Sequence, residues 1–183
     1  MSFNVIYDAN VLYPNVLRDL LIRVAQAGLV QARWTDEILD ETFRSLKLNR
    51  PDLDSSRLDR TRRLMCESVR DCLVSDYSAL ERLFDLPDPD DRHVVAAAVK
   101  SHSQIIVTYN LRDFPQSALD IWGLEAKHPD AFLIDQFHLD SLTLHTAVSR
   151  IADSTKSPPL DVGDILDRLE DLDLIETASA LRR

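Results

Sequence analysis

The stretch FNVIYDANVLYPNVLRDLLIRVAQAG, residues 3–28, decides the fold. Residues 3–7 form a short, β-favouring apolar run that stops abruptly at Asp8-Ala9-Asn10, the pattern of a buried strand ending at a polar site. Over residues 14–27, Val16, Leu17, Leu20, Leu21 and Val24 recur at helical spacing, and Gly28 stands where a helix terminator belongs. The unit is therefore strand, polar break, helix.

Further along, a short apolar stretch over residues 29–34 precedes Thr35, whose hydroxyl suits the cap of a helix with Ile38, Leu39, Thr42, Phe43 and Leu46 on its inner side. Glu41 lies on that helix. Arg50-Pro51-Asp52 breaks the pattern, which resumes over residues 53–72 as a long, half-exposed helix. Asp85-Leu86-Pro87-Asp88-Pro89-Asp90-Asp91 reads as a rigid acidic loop, because each proline fixes its own φ and biases its predecessor away from helix. A helix over residues 92–102 follows, opened by Asp90 or Asp91. Residues 104–108 read as a second buried strand, again with a polar end: Thr108, Asn110, Arg112, Asp113. This order favours an α/β sandwich with a parallel sheet, whose ligands sit beyond the carboxyl ends of the strands, where Asp8 and Asp113 would meet.

After His128-Pro129-Asp130 the composition changes. Residues 131–152 and 162–181 look like helices joined by residues 154–160, which contain Pro158-Pro159. Val162, Ile165, Leu166, Leu169 and Leu172 share one face, which needs a cover from the domain or from a partner. At 183 residues, 45% hydrophobic with 3 glycines, the chain holds one well-buried core plus an appendage, and disorder is excluded. Cys66 and Cys72, six positions apart on the expected helix, point to opposite sides and read as free thiols in a reducing cytosol. The absence of a signal-like start or a membrane-length apolar run points to the cytoplasm. A net charge of -10 opposes a polyanionic partner, since phosphate contacts normally provide much of nucleic-acid affinity.

Carboxylates at the ends of separate elements are what hard cations such as Mg²⁺ and Mn²⁺ require, and such ions act beside a scissile phosphate. Taken singly, each acid has a plain alternative. Asp8 fits a helix cap or loop acid, and Asp91, with Asp88 and Asp90 beside it, fits an N-cap. Glu41 fits a solvated helix face, as do Glu37 and Asp40. The segment Thr108-Tyr109-Asn110-Leu111-Arg112-Asp113-Phe114 is more specific, because an apolar anchor after the polar cluster positions several oxygens rigidly. His128, His138 and His145 lack the spacing and the cysteine partner of a zinc site.

Together these motifs resemble the PIN domains, and within them the VapC-like toxins of bacterial toxin–antitoxin pairs. Asp8 in VIYDANVL matches the first family acid, Glu41 in WTDEILDETFRSL the second, Asp91 in PDDRHVVAAAV the third and Asp113 in IIVTYNLRDFP the fourth. Asn10, Thr108 and Asn110 stand as polar neighbours that would position substrate. The resemblance covers roughly residues 3–135, and the HPDAFL stretch onward is similar to longer PIN toxins with a helical C-terminal extension. It implies a three-layer α/β sandwich over residues 1–128 with a helical extension over residues 129–183. It also implies a metal-dependent endoribonuclease in which Asp8, Glu41, Asp91 and Asp113 hold Mg²⁺ or Mn²⁺ and an activated water attacks an RNA phosphodiester, leaving a 3′-hydroxyl and a 5′-phosphate. A small antitoxin and a homodimer belong to the same implication, with the helix faces near Leu17, Phe43 and Leu46 as candidate antitoxin grooves. Arg18, Arg23, Arg112 and the group from Arg57 to Arg63 are candidates for guiding phosphate, against the alternative of a solvated face.

Three other readings stay open. A haloacid-dehalogenase-like phosphatase also begins with an acid after its first strand, but its second Asp would fall where this chain has Asn10. An RNA-processing PIN nuclease without an antitoxin, and a catalytically silent PIN-like binding module, carry the same fold.

Overall fold

Parallel strands cannot be joined by tight hairpins, so a parallel sheet obliges the chain to cross over through helices between strands. A computed structural model of the chain, which describes residues 3–183, has this form. Its sheet has the order β2-β1-β3-β4, with β1 at Phe3–Tyr7, β2 at Val30–Arg33, β3 at Ile105–Val107 and β4 at Glu125–Lys127, and every neighbouring pair is parallel. Helices α1 (Ala9–Leu12) and α2 (Asn15–Gln26) link β1 to β2. Helices α3 (Asp36–Asn49), α4 (Ser55–Ser68), α5 (Ser78–Glu81) and α6 (Arg92–Lys100) separate β2 from β3, and α7 (Gln116–Leu119) precedes β4. The remainder is α8 (Pro129–Leu139), α9 (Ser141–Ser154), α10 (Val162–Asp171) and α11 (Ile175–Leu181).

The expected buried faces form. In α2, Val16, Leu17, Leu20, Leu21 and Val24 are buried, and the helix stops at Gly28, whose φ of +83° is one that a side chain would resist. Helix α3 buries Ile38, Leu39, Thr42, Phe43 and Leu46, and Thr35 Oγ1 accepts the Ile38 amide at 3.0 Å as its cap. Tyr7 at the end of β1 packs against Trp34 and Phe132, with ring centroids 6.4 and 6.0 Å away. Phe132 belongs to α8, so the C-terminal helices share the core of the sheet. Ile165, Leu166 and Leu169 of α10 are buried where that helix meets α2, α9 and α11, so this chain covers the middle of the expected apolar face, while Leu172 is half-buried and Val162 is exposed.

Several expectations change. Helix α4 ends at Ser68, not at residue 72, because the following backbone pairs with Trp34: the Trp34 amide donates to Cys72 O and the Val74 amide to Trp34 O, each at 2.9 Å. Cys72 therefore lies off the helix, and its thiol donates to the Cys66 carbonyl at 3.7 Å instead of pointing away from it. Both thiols are free. The helix expected over residues 131–152 is two helices, divided at Asp140, which leaves helical φ,ψ and caps α9 through Thr143. A second division at Asp173, with φ +62°, separates α10 from α11. Strand β4 was not foreseen, since its three residues, Glu-Ala-Lys, carry no apolar period. Leu17, Phe43 and Leu46 are core residues, exposed by 0%, 4% and 6%, and offer no groove to a partner.

Because Thr35 is fully buried and its hydroxyl both caps α3 and orients the helix bearing Glu41, Thr35→Ala is expected to lower stability by about 1 kcal/mol. Thermal denaturation followed by circular dichroism should show a melting temperature lower by roughly 3 °C.

Candidate active site

Asp8 stands at the carboxyl end of β1, and its amide donates to Val107 O at 3.1 Å, which ties it to the end of β3. The side chain is buried, 5% exposed, and almost fully bonded. Oδ1 accepts the Ala9 amide at 2.7 Å and so caps α1, while Oδ2 accepts Thr108 Oγ1 at 2.7 Å and Asn10 Nδ2 at 2.8 Å. Asp8 is therefore a helix cap, as its plain alternative had it, and its second oxygen is held at the carboxyl edge of the sheet. Burial raises its pKa, opposed first by the Thr108 hydroxyl and then by the Ala9 amide.

The hydrogen bonds of Asn10 and Thr108 are directed inward. Asn10 Nδ2 also donates to Thr108 Oγ1 at 2.9 Å, its Oδ1 accepts the Tyr109 amide at 3.1 Å, and Thr108 Oγ1 accepts the Asn110 amide at 3.0 Å. These two side chains hold Asp8 and the loop after β3 in place. Asn110, exposed, donates through Nδ2 to Asp113 Oδ2.

The acidic loop forms a 3₁₀ turn over Pro89–Asp91, and Asp88, not Asp91, caps it: Asp88 Oδ1 accepts the Asp90 amide at 2.9 Å. Asp91 begins α6 without a side-chain cap bond, and its Oδ2 is buried with no hydrogen-bond partner. Its pKa is pushed up to about 7 by burial and by the charges of Asp8, Asp88, Asp113 and Glu41. That set places all four sequence-derived acids in one electrostatic neighbourhood. Burial and the charge of Asp8 also raise Glu41, which sits on the solvent side of α3. Among the described residues, no three His, Cys, Asp or Glu side chains are gathered closely enough to hold an ion as they stand. The donor set is nonetheless of the kind that hard cations take: carboxylate oxygens, one of them buried and unsatisfied.

Glu41 and Asp91 border a cleft of about 570 Å³ with Glu37, Asp88, Arg44 and His93. Three of these, Glu37, Arg44 and His93, are not among the residues expected at the site from sequence. His93, 5% exposed on α6, lies with Nδ1 3.8 Å from Glu37 Oε2, and its positive form favours ionised Asp8 and Glu41. The signal for it was its place two residues after Asp91 on the inner face of a helix. Glu37, read as a surface charge, accepts the Tyr77 hydroxyl at 3.0 Å. Most of the arginines have other tasks. Arg18 donates to the Leu12 and Tyr13 carbonyls, Arg23 pairs with Asp19, Arg62 with Asp36 and Asp40, and Arg63 with Glu67. The histidines weighed for zinc serve structure: His128 Nδ1 caps α8, and His138 and His145 pack on Phe137.

A carboxyl whose pKa is raised by folding adds stability that is fully present below its unfolded value and is lost as pH rises through its folded value. For Asp91 that window runs from 3.8 to about 7. In the presence of a chelator, the wild-type melting temperature should fall more steeply across it than that of Asp91→Asn, by roughly 2–4 °C. Parallel melting curves across the pH series would mean that Asp91 titrates normally.

A family model described as PIN domain matches residues 4–112, and a second, described as VapC50 C-terminal domain, matches residues 129–183. The chain is similar to a Mycobacterium tuberculosis (strain H37Rv) protein titled "Putative ribonuclease VapC50", with 40% identity over 79 residues, covering 43% of this chain and 47% of that protein. The chain thus matches a little under half the length of that relative. No solved structure matches. The parallel sheet, the acids at its carboxyl edge and a match across residues 4–112 lead to one assignment: the chain belongs to the PIN-domain family.

Proposed function

We propose that this chain is a metal-dependent endoribonuclease that hydrolyses RNA phosphodiester bonds, and that it is the toxin of a VapBC-type toxin–antitoxin pair. The observation that carries the reading is Asp91: a half-buried carboxyl with one unsatisfied oxygen, its pKa raised to about 7 first by burial and then by four neighbouring acids. Such a cluster costs stability unless a cation relieves the repulsion. The similarity to a mycobacterial protein titled as a ribonuclease supports RNA as the substrate class.

In this reading Asp8, Glu41, Asp91 and Asp113 hold Mg²⁺ or Mn²⁺, over a nuclease domain of residues 1–128 with residues 129–183 as its extension. The bound ion supplies an activated water and charge stabilisation at the phosphate. The protein contributes a rigid Asp8, kept in one orientation by Thr108, Asn10 and the Ala9 amide, and a buried imidazole at His93 that moderates the local negative charge. Asn110, exposed and bonded to Asp113, is the polar neighbour left open to a substrate. Arg44 at the cleft and Arg57, Arg60 and Arg112, with no ion-pair partner among the described residues, are the cations open to phosphate. A small antitoxin with a basic side chain would find its complement in the acidic cleft. Action in the cytoplasm accords with this, and among the described residues no helix is long and apolar enough to cross a membrane.

Purified protein is expected to cut total cellular RNA in Mn²⁺ or Mg²⁺ and to stop in EDTA. Asp8→Asn, which keeps the shape of the side chain and removes its charge, should lower the rate by roughly two orders of magnitude. Cleavage that survives chelation, or an Asp8→Asn protein as active as wild type, would falsify the reading. A folded wild-type protein that cuts nothing in either metal would favour a silent binding module.

A further inference from the structure

The loop after β3 is held from two directions. From the sheet side, the Tyr109 amide donates to Asn10 Oδ1 at 3.1 Å and the Asn110 amide to Thr108 Oγ1 at 3.0 Å, next to Asp8. From the other side, the Tyr109 hydroxyl donates to the Leu172 carbonyl at 2.8 Å, across 63 residues of sequence. The ring is half-buried and meets His128 edge to face, with centroids 5.0 Å apart at 80°. Leu172 is the last residue before the turn at Asp173, and that turn is itself anchored. Asp130 at the start of α8 accepts the Glu176 and Thr177 amides at 3.0 and 2.8 Å and the Thr177 hydroxyl at 2.6 Å, with Thr177 and Leu174 fully buried. The C-terminal helices thus present a fixed carbonyl to a side chain that sits between Thr108 and Asn110.

We propose that Tyr109 is a positioning residue, through which the α10–α11 turn holds the loop carrying Thr108, Asn110 and Asp113 in register with Asp8. The inference rests on the nuclease reading for its catalytic consequence, but the tether itself is a property of the fold. A neutral phenol is needed to donate, and burial together with the charges of Asp173 and Asp130 pushes the Tyr109 pKa up to about 12, so the donor persists at every physiological pH. The tether gives residues 129–183 a task at the site although they contribute none of the four acids: their packing is transmitted to the loop through one hydrogen bond and one ring contact. Misplacement of catalytic groups by a fraction of a bond length is enough to slow chemistry severely.

The test compares full-length wild type with Tyr109→Phe, which keeps the ring packing and removes only the hydroxyl. Hydrogen–deuterium exchange should show faster exchange of the amides of residues 108–113 in Tyr109→Phe, with amides of β1 and α2 unchanged and a melting temperature within a few degrees of wild type. RNA cleavage in Mn²⁺ should show kcat lower by roughly tenfold with KM nearly unchanged, since the effect falls on the alignment of the acids and not on substrate contacts. Exchange in the loop equal to wild type would overturn the tether. Faster exchange with an unaltered kcat would overturn the positioning role. If wild type cuts no RNA, the nuclease reading fails by itself, and the exchange measurement still decides whether the C-terminal turn holds the loop.

Discussion

The hydrogen bond from Thr108 Oγ1 to Asp8 Oδ2, 2.7 Å long and out of contact with solvent, joins two chain ends of the sheet that are a hundred residues apart in sequence. It exists because β1 and β3 are parallel neighbours in register, Val5 to Tyr7 against Ile105 to Val107, so that both strands end at the same height. A parallel sheet of buried strands brings all its carboxyl ends to one edge, and polar residues that would be costly inside the sheet become usable there. Glu41 on α3, Asp91 just before α6 and Asp113 in the loop after β3 share the electrostatic neighbourhood of that fixed carboxylate, with His93 of α6 beside them.

The cluster is electrostatically uncomfortable as it stands. Asp91 has a buried oxygen without a donor, and its charge is opposed by four other acids. His93 opposes the raised pKa of Asp8 and of Glu41, and Arg44 that of Glu41, whereas Arg62 is spent on Asp36 and Asp40, and Arg18 on backbone carbonyls. This arrangement gives the overall net charge of -10 a local meaning. Part of the acidity is concentrated at one edge, among Asp8, Glu41, Asp88, Asp91 and Asp113. The rest is spread over exposed helices, including α10, where Asp167 and Glu170 pair with Arg182.

The C-terminal helices are integrated in the core and in the site. Phe132 packs on Tyr7 at the end of β1, α10 packs on α2, and Tyr109 reaches the α10–α11 turn. Ile165, Leu166 and Leu169 of α10 are buried against this chain, whereas Leu139, Leu142, Val162 and Ile175 stay exposed.

How much of this was legible beforehand varies by element. The strand at residues 3–7, the inner faces of α2 and α3 and the Thr35 cap followed from periodicity and cap chemistry, because these are local properties of a few consecutive residues, whereas the set of four acids came from the family resemblance. Strand β4, the end of α4 at Ser68 and the breaks at Asp140 and Asp173 did not. Each depends on a partner distant in sequence or on a backbone conformation that composition does not announce, such as the pairing of residues 72–74 with Trp34. The same division runs through the site. Residue order sufficed to show which acids were available and that Asp8 follows directly on a strand. Only the tertiary structure decided that Asp88 caps the turn while Asp91 faces the cluster, and that Asn10 and Thr108 turn inward to hold Asp8. It alone placed His93 and Glu37 in the cleft and put a carbonyl from residue 172 within reach of Tyr109. The physical reason is that residue type sets what a side chain is able to bond, whereas its direction, burial and neighbours are set by packing between elements far apart in the chain.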